Sequence, residues 1–220
     1  MEIILLGPQG SGKGTQAQLI VQNFGMAHVE TGLLLRKIAL ENSELGKKVD
    51  RIIHVEKELV PDEIVFDALE KATIEAPKGK GIIFDGVPRR VQQIELFEEM
   101  TSRHGRKIDA LIYLHLPFEE SFSRITKRFS CNSCQARLVL GKDIQASNDA
   151  CPKCGGHVEQ RGDDTPEGVT KRLEIFYKET VPVVDYYKNL GIAYEIDGMG
   201  SVEEVYSKVE KILKELKERK

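Results

Sequence analysis

The 220-residue sequence predicts an α/β fold, in which a parallel sheet is covered by helices on both faces. Short apolar runs alternate along the chain with longer segments of helical periodicity, as parallel strands joined by crossover helices require. Residues 130–160 interrupt this alternation, because they are rich in Gly, Asn, Asp and Cys. This stretch predicts a small, separate, β-rich insert.

The predicted elements follow one another in order. Strands are expected at 2–6, 82–84, 111–114 and 193–196, each a compact apolar run between charged or turn residues. Helices are expected at 15–24, 31–41, 45–57, 61–75, 90–103, 118–128, 165–189 and 202–218. We therefore expect a core of residues 1–29, 61–128 and 162–220, with one helical insert at 30–60 and the β-rich insert at 129–161.

Composition narrows the functional class. The formal net charge of -3 argues against a general nucleic-acid binder, whose surface is usually basic. No apolar run approaches the ~20 residues that span a bilayer. The N-terminal residues lack the basic and apolar regions of a signal peptide, so we expect a cytoplasmic protein. In that compartment, paired cysteines indicate metal ligands rather than disulfides.

A glycine-rich loop follows the first strand, with the sequence Gly7-Pro8-Gln9-Gly10-Ser11-Gly12-Lys13-Gly14-Thr15. Backbone N–H groups of such a loop, together with the N-terminus of the next helix, bind anionic oxygens. Lys13 adds a mobile positive charge. The match to the general phosphate-loop motif is imperfect, because Gly14 stands where Ser or Thr is usual and Thr15 comes one position later. The alternative is a glycine-rich turn without a ligand.

All four cysteines lie in the β-rich insert, with the spacing C-x2-C-x16-C-x2-C: Cys131, Cys134, Cys151 and Cys154. Two such knuckles complete a tetrahedron around one Zn²⁺. Four sulfur ligands leave no open coordination position, so we expect a structural metal and count His157 as surplus. Iron is a possible substitute in the same cage. A redox pair or free thiols are the alternatives.

Arginines stand beside turn residues in three clusters, and arginine grips phosphate oxygens in pairs. They are Arg89 and Arg90 after the 82–84 strand, Arg124 and Arg128 on the helix that runs into the insert, and Arg161 and Arg172 after it. Asp85 is expected at the carboxyl end of a strand, where it could hold Mg²⁺ through water. Asp163 and Asp164 could be site residues, and Asp164 could equally cap the next helix.

The ordered motifs resemble the adenylate kinases, in the long form that carries a zinc-bearing lid, and the resemblance covers nearly the whole chain. It rests on the loop Gly7–Gln16, on Thr31-Gly32 with Arg36, on Leu59-Val60-Pro61-Asp62-Glu63, on Asp85-Gly86-Val87-Pro88-Arg89 with Gln93, and on the arginines and aspartates from Arg124 to Arg172. It implies the reaction ATP + AMP ⇌ 2 ADP with Mg²⁺, a monophosphate-binding insert at 30–60 and a lid at 129–161.

The resemblance also implies the site residues. ATP would be bound by Gly10, Ser11, Gly12, Lys13, Gly14, Thr15, Arg124, Arg128, Arg137, Leu138 and Gly200. AMP would be bound by Thr31, Arg36, Glu58, Leu59, Val60, Gly86, Val87, Pro88, Arg89, Gln93, Arg161 and Arg172. The catalytic set would be Lys13, Arg89, Arg128, Arg161, Arg172 and Asp163, with Asp85 holding Mg²⁺ through water and the four cysteines holding structural Zn²⁺. The expected partners are small nucleotides, without nucleic acid or membrane, and the expected state is a monomer.

Several positions depart from the family pattern. The usual STGD turn reads Glu30-Thr31-Gly32-Leu33, Val87 and Arg90 replace a usual Phe and Thr, and Lys57 and Gln9 stand where Gly and Pro are common. These departures bear on the acceptor, so CMP, UMP or GMP kinase activity is the alternative within the family. A non-catalytic zinc-ribbon protein that binds nucleic acid is the alternative from another class.

Overall fold

A computed structural model describes residues 1–134, 136–160, 162 and 164–219. Their centre is a five-stranded parallel sheet with the strand order β2-β3-β1-β4-β8. Its strands are β1 (Glu2–Leu6), β2 (Ala27–Glu30), β3 (Ile82–Asp85), β4 (Ile108–His115) and β8 (Ala193–Asp197). The predicted α/β class is confirmed.

Strand β2 was not predicted from the sequence. Its residues Ala27–Glu30 are only partly buried, and two of the four are polar, so they do not form an apolar run. Pairing with β3 places Glu30 directly beside Asp85 at the carboxyl edge of the sheet. The missed strand therefore contributes to the edge where open α/β sheets bind ligands.

The helices are α1 (Lys13–Phe24), α2 (Thr31–Ala39), α3 (Glu44–Asp50), α4 (Asp62–Glu75), α5 (Gln92–Arg103), α6 (Phe118–Thr126), α7 (Pro166–Ile175), α8 (Val181–Asn189) and α9 (Val202–Glu218). Two π-helical segments, Arg51–Glu56 and Phe176–Thr180, extend α3 and join α7 to α8. The predicted helix 165–189 is thus one helical run with a π-helical middle.

Alternation along the strands divides the apolar core into two layers. Ile4 and Leu6 of β1 join the layer on one face of the sheet, whereas Ile3 and Leu5 join the layer on the other. The second layer is covered in part by α9, whose Val205, Val209, Leu213 and Leu216 recur at helical spacing. Helices therefore cover both faces of the sheet, as the alternation of strands and helices along the chain predicted.

A second, antiparallel sheet forms the β-rich insert, with the order β6-β5-β7. Its strands are β5 (Arg128–Cys131), β6 (Arg137–Val139) and β7 (Val158–Glu159). The prediction that Arg128 lies on a helix was wrong, because α6 ends at Thr126 and Arg128 pairs with Val139 as the first residue of β5. The division of the chain into core, insert and lid stays a prediction.

Among the described residues, no helix is both long enough and apolar enough to cross a bilayer.

Candidate active site

A cavity of about 470 Å³ opens at the carboxyl edge of the parallel sheet. It is bounded by the glycine-rich loop, the start of α2, residues 57–60, the lid strand β6 and helix α7. The predicted site residues that line it are Gly10, Gly12, Lys13, Gly14, Thr15, Thr31, Arg36, Glu58, Leu59, Val60, Asp85, Gly86, Val87, Arg89, Gln93, Arg124, Arg128, Arg137, Leu138 and Arg172.

Five of the residues predicted for nucleotide binding or catalysis are not among that lining. Ser11, Pro88 and Gly200 do not line the cavity. Ser11 is nevertheless buried within the glycine-rich loop, whereas Gly200 is exposed beside Glu204. Arg161 and Asp163 lie outside the described residues.

The glycine-rich loop leaves the N-terminus of α1 open toward the cavity. Gly10 and Gly12 have φ angles of 81° and 88°, in the left-handed region that glycine adopts without strain. Gly12 is the N-cap of α1 and provides no side-chain cap, so no side chain occupies the first N–H groups of the helix. The buried hydroxyl of Ser11 has no hydrogen-bond partner among the described residues. These uncommitted donors suit an anionic ligand.

Lys13 is half-buried inside this loop. Its Nζ donates hydrogen bonds to the carbonyl oxygens of Gly7 at 2.6 Å and Pro8 at 3.0 Å. Burial lowers the pKa of Lys13 to about 8; the charge of Asp85 opposes the shift, and those of Arg89 and Arg128 add to it. A phosphate in the cavity would offset this crowding of positive charge.

Arg137, from β6 of the lid, reaches across to the start of α1. A Cβ atom built on Gly14 would lie only 1.9 Å from Nη1 of Arg137, so a side chain at position 14 would displace the guanidinium. The guanidinium of Arg137 therefore occupies the space that the usual Ser or Thr side chain would fill at position 14. Leu138, the next residue of β6, also lines the cavity.

Asp164 accepts hydrogen bonds from two of the predicted arginines, Arg128 and Arg172. Its fully buried side chain accepts from Nε and Nη2 of Arg128 and from Nη2 of Arg172, the last at 2.7 Å. The alternative role of Asp164 as a helix cap is wrong, because the N-cap of α7 is Thr165, whose hydroxyl accepts from the N–H of Gly168. Asp164 instead fixes the arginines at the edge of the cavity.

Arg89 and Gln93 lie on the opposite side, at the turn after β3. Nε of Arg89 donates to the carbonyl oxygen of Gly86 at 2.9 Å, and burial lowers the pKa of Arg89. Oε1 of Gln93 accepts from the backbone N–H groups of Arg89 and Arg90, while its Nε2 donates to Asp62. Arg90 also pairs with Asp62.

Arg124 ties the glycine-rich loop to the segment after β8. Its Nη1 donates to the carbonyl oxygen of Gly198 at 3.1 Å and to that of Gly10 at 3.4 Å, and its Nε donates to Glu120. The guanidinium thus borders the cavity beside both segments.

His28 and Glu30 are site-edge residues that the sequence reasoning did not assign. Nε2 of His28 lies 3.2 Å from Oδ2 of Asp85, and ligand atoms of His28, Glu30 and Asp85 all lie within 4.8 Å of one another. Glu30 pairs with Arg36 at 3.0 Å and with Arg137 at 3.5 Å. Their spacing could have indicated this, because positions 28 and 30 share one face of an extended strand.

Residues 56–58 and helix α7 are joined by polar contacts. Lys57 adopts a left-handed φ of 55°, and its Nζ donates to the hydroxyl of Thr165 at 3.1 Å. Lys171 donates to the carbonyl oxygen of Glu56 and pairs with Glu58 at 2.6 Å. The cavity is therefore closed on this side.

The four cysteines form the cluster that their spacing predicted. All four sulfur atoms lie within 4.8 Å of one another, with Cys131 and Cys154 at 3.4 Å and Cys134 and Cys151 at 3.7 Å. This compact all-sulfur set fits a tetrahedral Zn²⁺ and offers no oxygen ligand for a harder ion. The lid core beside it is small, consisting of Phe129, Leu138, Ile144, Val158 and two of the cysteines.

Comparison with known proteins identifies the family of this chain. The family model described as adenylate kinase matches residues 5–192, which include the glycine-rich loop, the four cysteines and every arginine described above. The chain belongs to the adenylate kinase family. The resemblance inferred from the motifs is confirmed, and the chain is by family a nucleoside monophosphate kinase.

Individual adenylate kinases align over nearly their full length. The chain is 39% identical to the adenylate kinase of Archaeoglobus fulgidus over 99% of this chain and 100% of that protein. It is 39% identical to the adenylate kinase of Caldanaerobacter subterraneus subsp. tengcongensis over 97% of this chain and 96% of that protein. The adenylate kinase of Streptomyces avermitilis is 38% identical over 97% of each.

Proposed function

We propose that this protein catalyses the reversible, Mg²⁺-dependent transfer of a phosphoryl group from ATP to AMP, giving two ADP. The observation that carries the proposal is the convergence on one cavity of a phosphate loop with a half-buried lysine and of arginines from both sides. Family membership supports the same reaction.

ATP occupies the side of the cavity formed by the glycine-rich loop and the lid. The N–H groups from Gly10 to Thr15 bind its phosphates, and Lys13 follows the transferred group. Arg124, Arg137 and Leu138 border the adenine and ribose. Gly200, which has no side chain and lies outside the cavity lining, would offer only its backbone near the adenine.

AMP occupies the opposite side, against the turn after β3 and the start of α2. Arg36 and Arg89 bind its phosphate, and Gln93 reads its adenine edge. The buried hydroxyl of Thr31, which has no partner among the described residues, is available to the acceptor nucleotide. Residues 58–60 and 86–88 provide the backbone wall around the base.

Catalysis follows from alignment and charge. Arg128 and Arg172, oriented by Asp164, are placed to neutralise charge on the transferred phosphoryl group, with Arg161 and Asp163 proposed from the family pattern alone. The acceptor is already an anionic phosphate, so no general base is needed. Closure of the lid over the cavity excludes water, which would otherwise accept the phosphoryl group.

Two metals accompany this mechanism in the proposal. Mg²⁺ would supply charge neutralisation at the ATP phosphates, and Asp85, whose buried carboxylate interacts with the charge of Lys13, would hold it through water. Zn²⁺ held by the four cysteines would keep the lid folded and take no part in chemistry. We further propose that residues 30–60 and 129–161 act as the monophosphate-binding and lid units of a cytoplasmic monomer.

The decisive test is a coupled assay of ADP formation from MgATP with AMP, CMP, UMP and GMP as separate acceptors. The proposal expects AMP to be used well above the other three and turnover to stop when Mg²⁺ is removed. A Lys13→Gln variant purified in the same way controls for contaminating host kinases, and Lys47→Gln, whose side chain is 67% exposed, is the matched control.

Preference for another acceptor would move the assignment within the family. No turnover by folded, zinc-loaded protein with any acceptor would overturn the enzymatic proposal and favour the nucleic-acid-binding alternative.

A further inference from the structure

Glu30 lies where the monophosphate side of the cavity meets the lid. Its Oε1 is 3.0 Å from Nη2 of Arg36, and its Oε2 is 3.5 Å from Nη2 of Arg137. The Glu30 side chain is 19% exposed, and those of Arg36 and Arg137 are 29% and 42% exposed. One carboxylate thus bridges helix α2 and lid strand β6.

The carboxylate of Glu30 occupies the guanidinium of Arg36, which is proposed to bind the acceptor phosphate. A guanidinium presents a limited fork of N–H donors, and carboxylate and phosphate oxygens use the same fork. An acceptor phosphate that binds Arg36 must therefore share that group with Glu30 or displace it. Glu30 itself lines the cavity, so this competition would take place at the binding site.

We propose that Glu30 limits the affinity for the acceptor: it is an internal anion that competes with the acceptor's phosphate for Arg36. The inference rests on the proposed function, because it needs a nucleoside monophosphate at Arg36. A phosphate dianion carries more charge than a carboxylate and displaces it.

Arg137 can stabilise the carboxylate of Glu30 after the phosphate has displaced it from Arg36. When the acceptor phosphate takes Arg36, Arg137 remains as a cationic partner for Glu30. That partner belongs to the lid, so it is in reach only while β6 lies over the glycine-rich loop, as the proximity of Arg137 to Gly14 requires.

The test is steady-state kinetics of Glu30→Gln with AMP varied at saturating MgATP. Glutamine keeps the size of the side chain and removes its charge. Loss of a partly exposed ion pair predicts that KM for AMP falls about two- to fivefold, with kcat nearly unchanged. Glu44→Gln is the matched control, because Glu44 is 92% exposed and pairs with Lys47 three residues on; the KM of this variant for AMP should stay at the wild-type value.

A double-mutant cycle separates competition at Arg36 from a general effect of charge. In an Arg36→Gln background, Glu30→Gln should no longer lower KM for AMP, since the contested guanidinium is absent. An equal fall in KM in both backgrounds, or an unchanged or raised KM in Glu30→Gln alone, would overturn the inference. Thermal melting verifies that each variant is folded.

Failure of the proposed function would give a different result. If wild-type protein transfers phosphoryl to none of the acceptors, the function is wrong and the role of Glu30 falls with it. If wild-type protein uses AMP and the variants follow one of the contrary patterns, only the role of Glu30 is wrong.

Discussion

Asp164 holds Arg128 through both carboxylate oxygens, at 2.8 and 2.9 Å, although the two residues are 36 positions apart. The 36 positions contain the entire cysteine-bearing insert, so this ion pair joins the chain where it enters the lid to the chain where it leaves. Arg172 binds the same carboxylate from α7. A single buried acid therefore positions two of the arginines proposed for catalysis.

Replacing this acid should destabilise the protein. Asp164→Asn keeps the shape of the side chain but removes the negative charge to which both guanidinium groups are hydrogen-bonded. We expect a loss of about 3 kcal/mol in the free energy of unfolding, at the lower end for a broken buried pair because both arginines are partly exposed. Urea denaturation measures it, with Asp50→Asn, whose side chain is 55% exposed, as the control. A loss below about 1 kcal/mol would contradict this account.

Lys13 should give the enzyme an alkaline limb near pH 8. Burial lowers the pKa of Lys13 to about 8, so the nucleotide-free protein loses this positive charge as the pH rises through that value. Because kcat/KM reports the free enzyme, kcat/KM for MgATP should fall above pH 8. Bound phosphates favour the charged lysine, so kcat should fall only at higher pH.

The control for this pH profile is Lys13→Arg, whose guanidinium stays protonated throughout. Its activity should be lower, but its kcat/KM should not decline between pH 7.5 and about 9.5, a window set by the ordinary arginine pKa. A wild-type kcat/KM that is flat across that window would contradict the lowered pKa of Lys13 in the nucleotide-free protein.

Gly14→Ala should weaken ATP binding without weakening the fold. The added Cβ would meet the guanidinium of Arg137 and push it aside. Alanine is favoured over glycine within a helix by roughly 1 kcal/mol, so the melting temperature should be unchanged or higher. We expect KM for MgATP to rise severalfold. An unchanged KM for MgATP would mean that Arg137 is not needed at this position.

Removal of the lid metal should affect stability before chemistry. The lid core is small, so a tetrahedral metal bound by the four cysteines would supply much of its folding free energy. Chelation should lower the melting temperature, whereas turnover at temperatures where the lid stays folded should be retained. Elemental analysis should find about one zinc per chain and distinguish zinc from iron. Loss of turnover while hydrogen exchange shows an intact lid would contradict a purely structural role.

The sequence was sufficient for the features whose atoms lie close together along the chain. The glycine-rich loop follows a buried strand and opens a helix, and its geometry depends on glycines a few residues apart. The cysteine knuckles likewise depend on a spacing of three residues, and two knuckles of one small insert meet readily. The α/β class followed from the alternation of apolar runs and helical periods.

The partly buried edge strand β2 escaped the same reasoning, because half of its residues are polar and its existence depends on pairing with β3. The end of α6 was placed too late for a related reason. Helical periodicity continues past Thr126, but Arg128 forms the ladder of β5 with β6, and such a pairing has no signature in local sequence.

Residue types at short, fixed spacings were enough to predict the class of fold, the glycine-rich loop, the four-cysteine cluster and the family. Tertiary structure alone decided which charges meet. It paired Asp164 with Arg128 and Arg172, gave Glu30 to Arg36 and Arg137, and gave Arg90 to Asp62. The sequence allows many pairings between its acids and its arginines, and the packing of distant segments determines which of these pairs form.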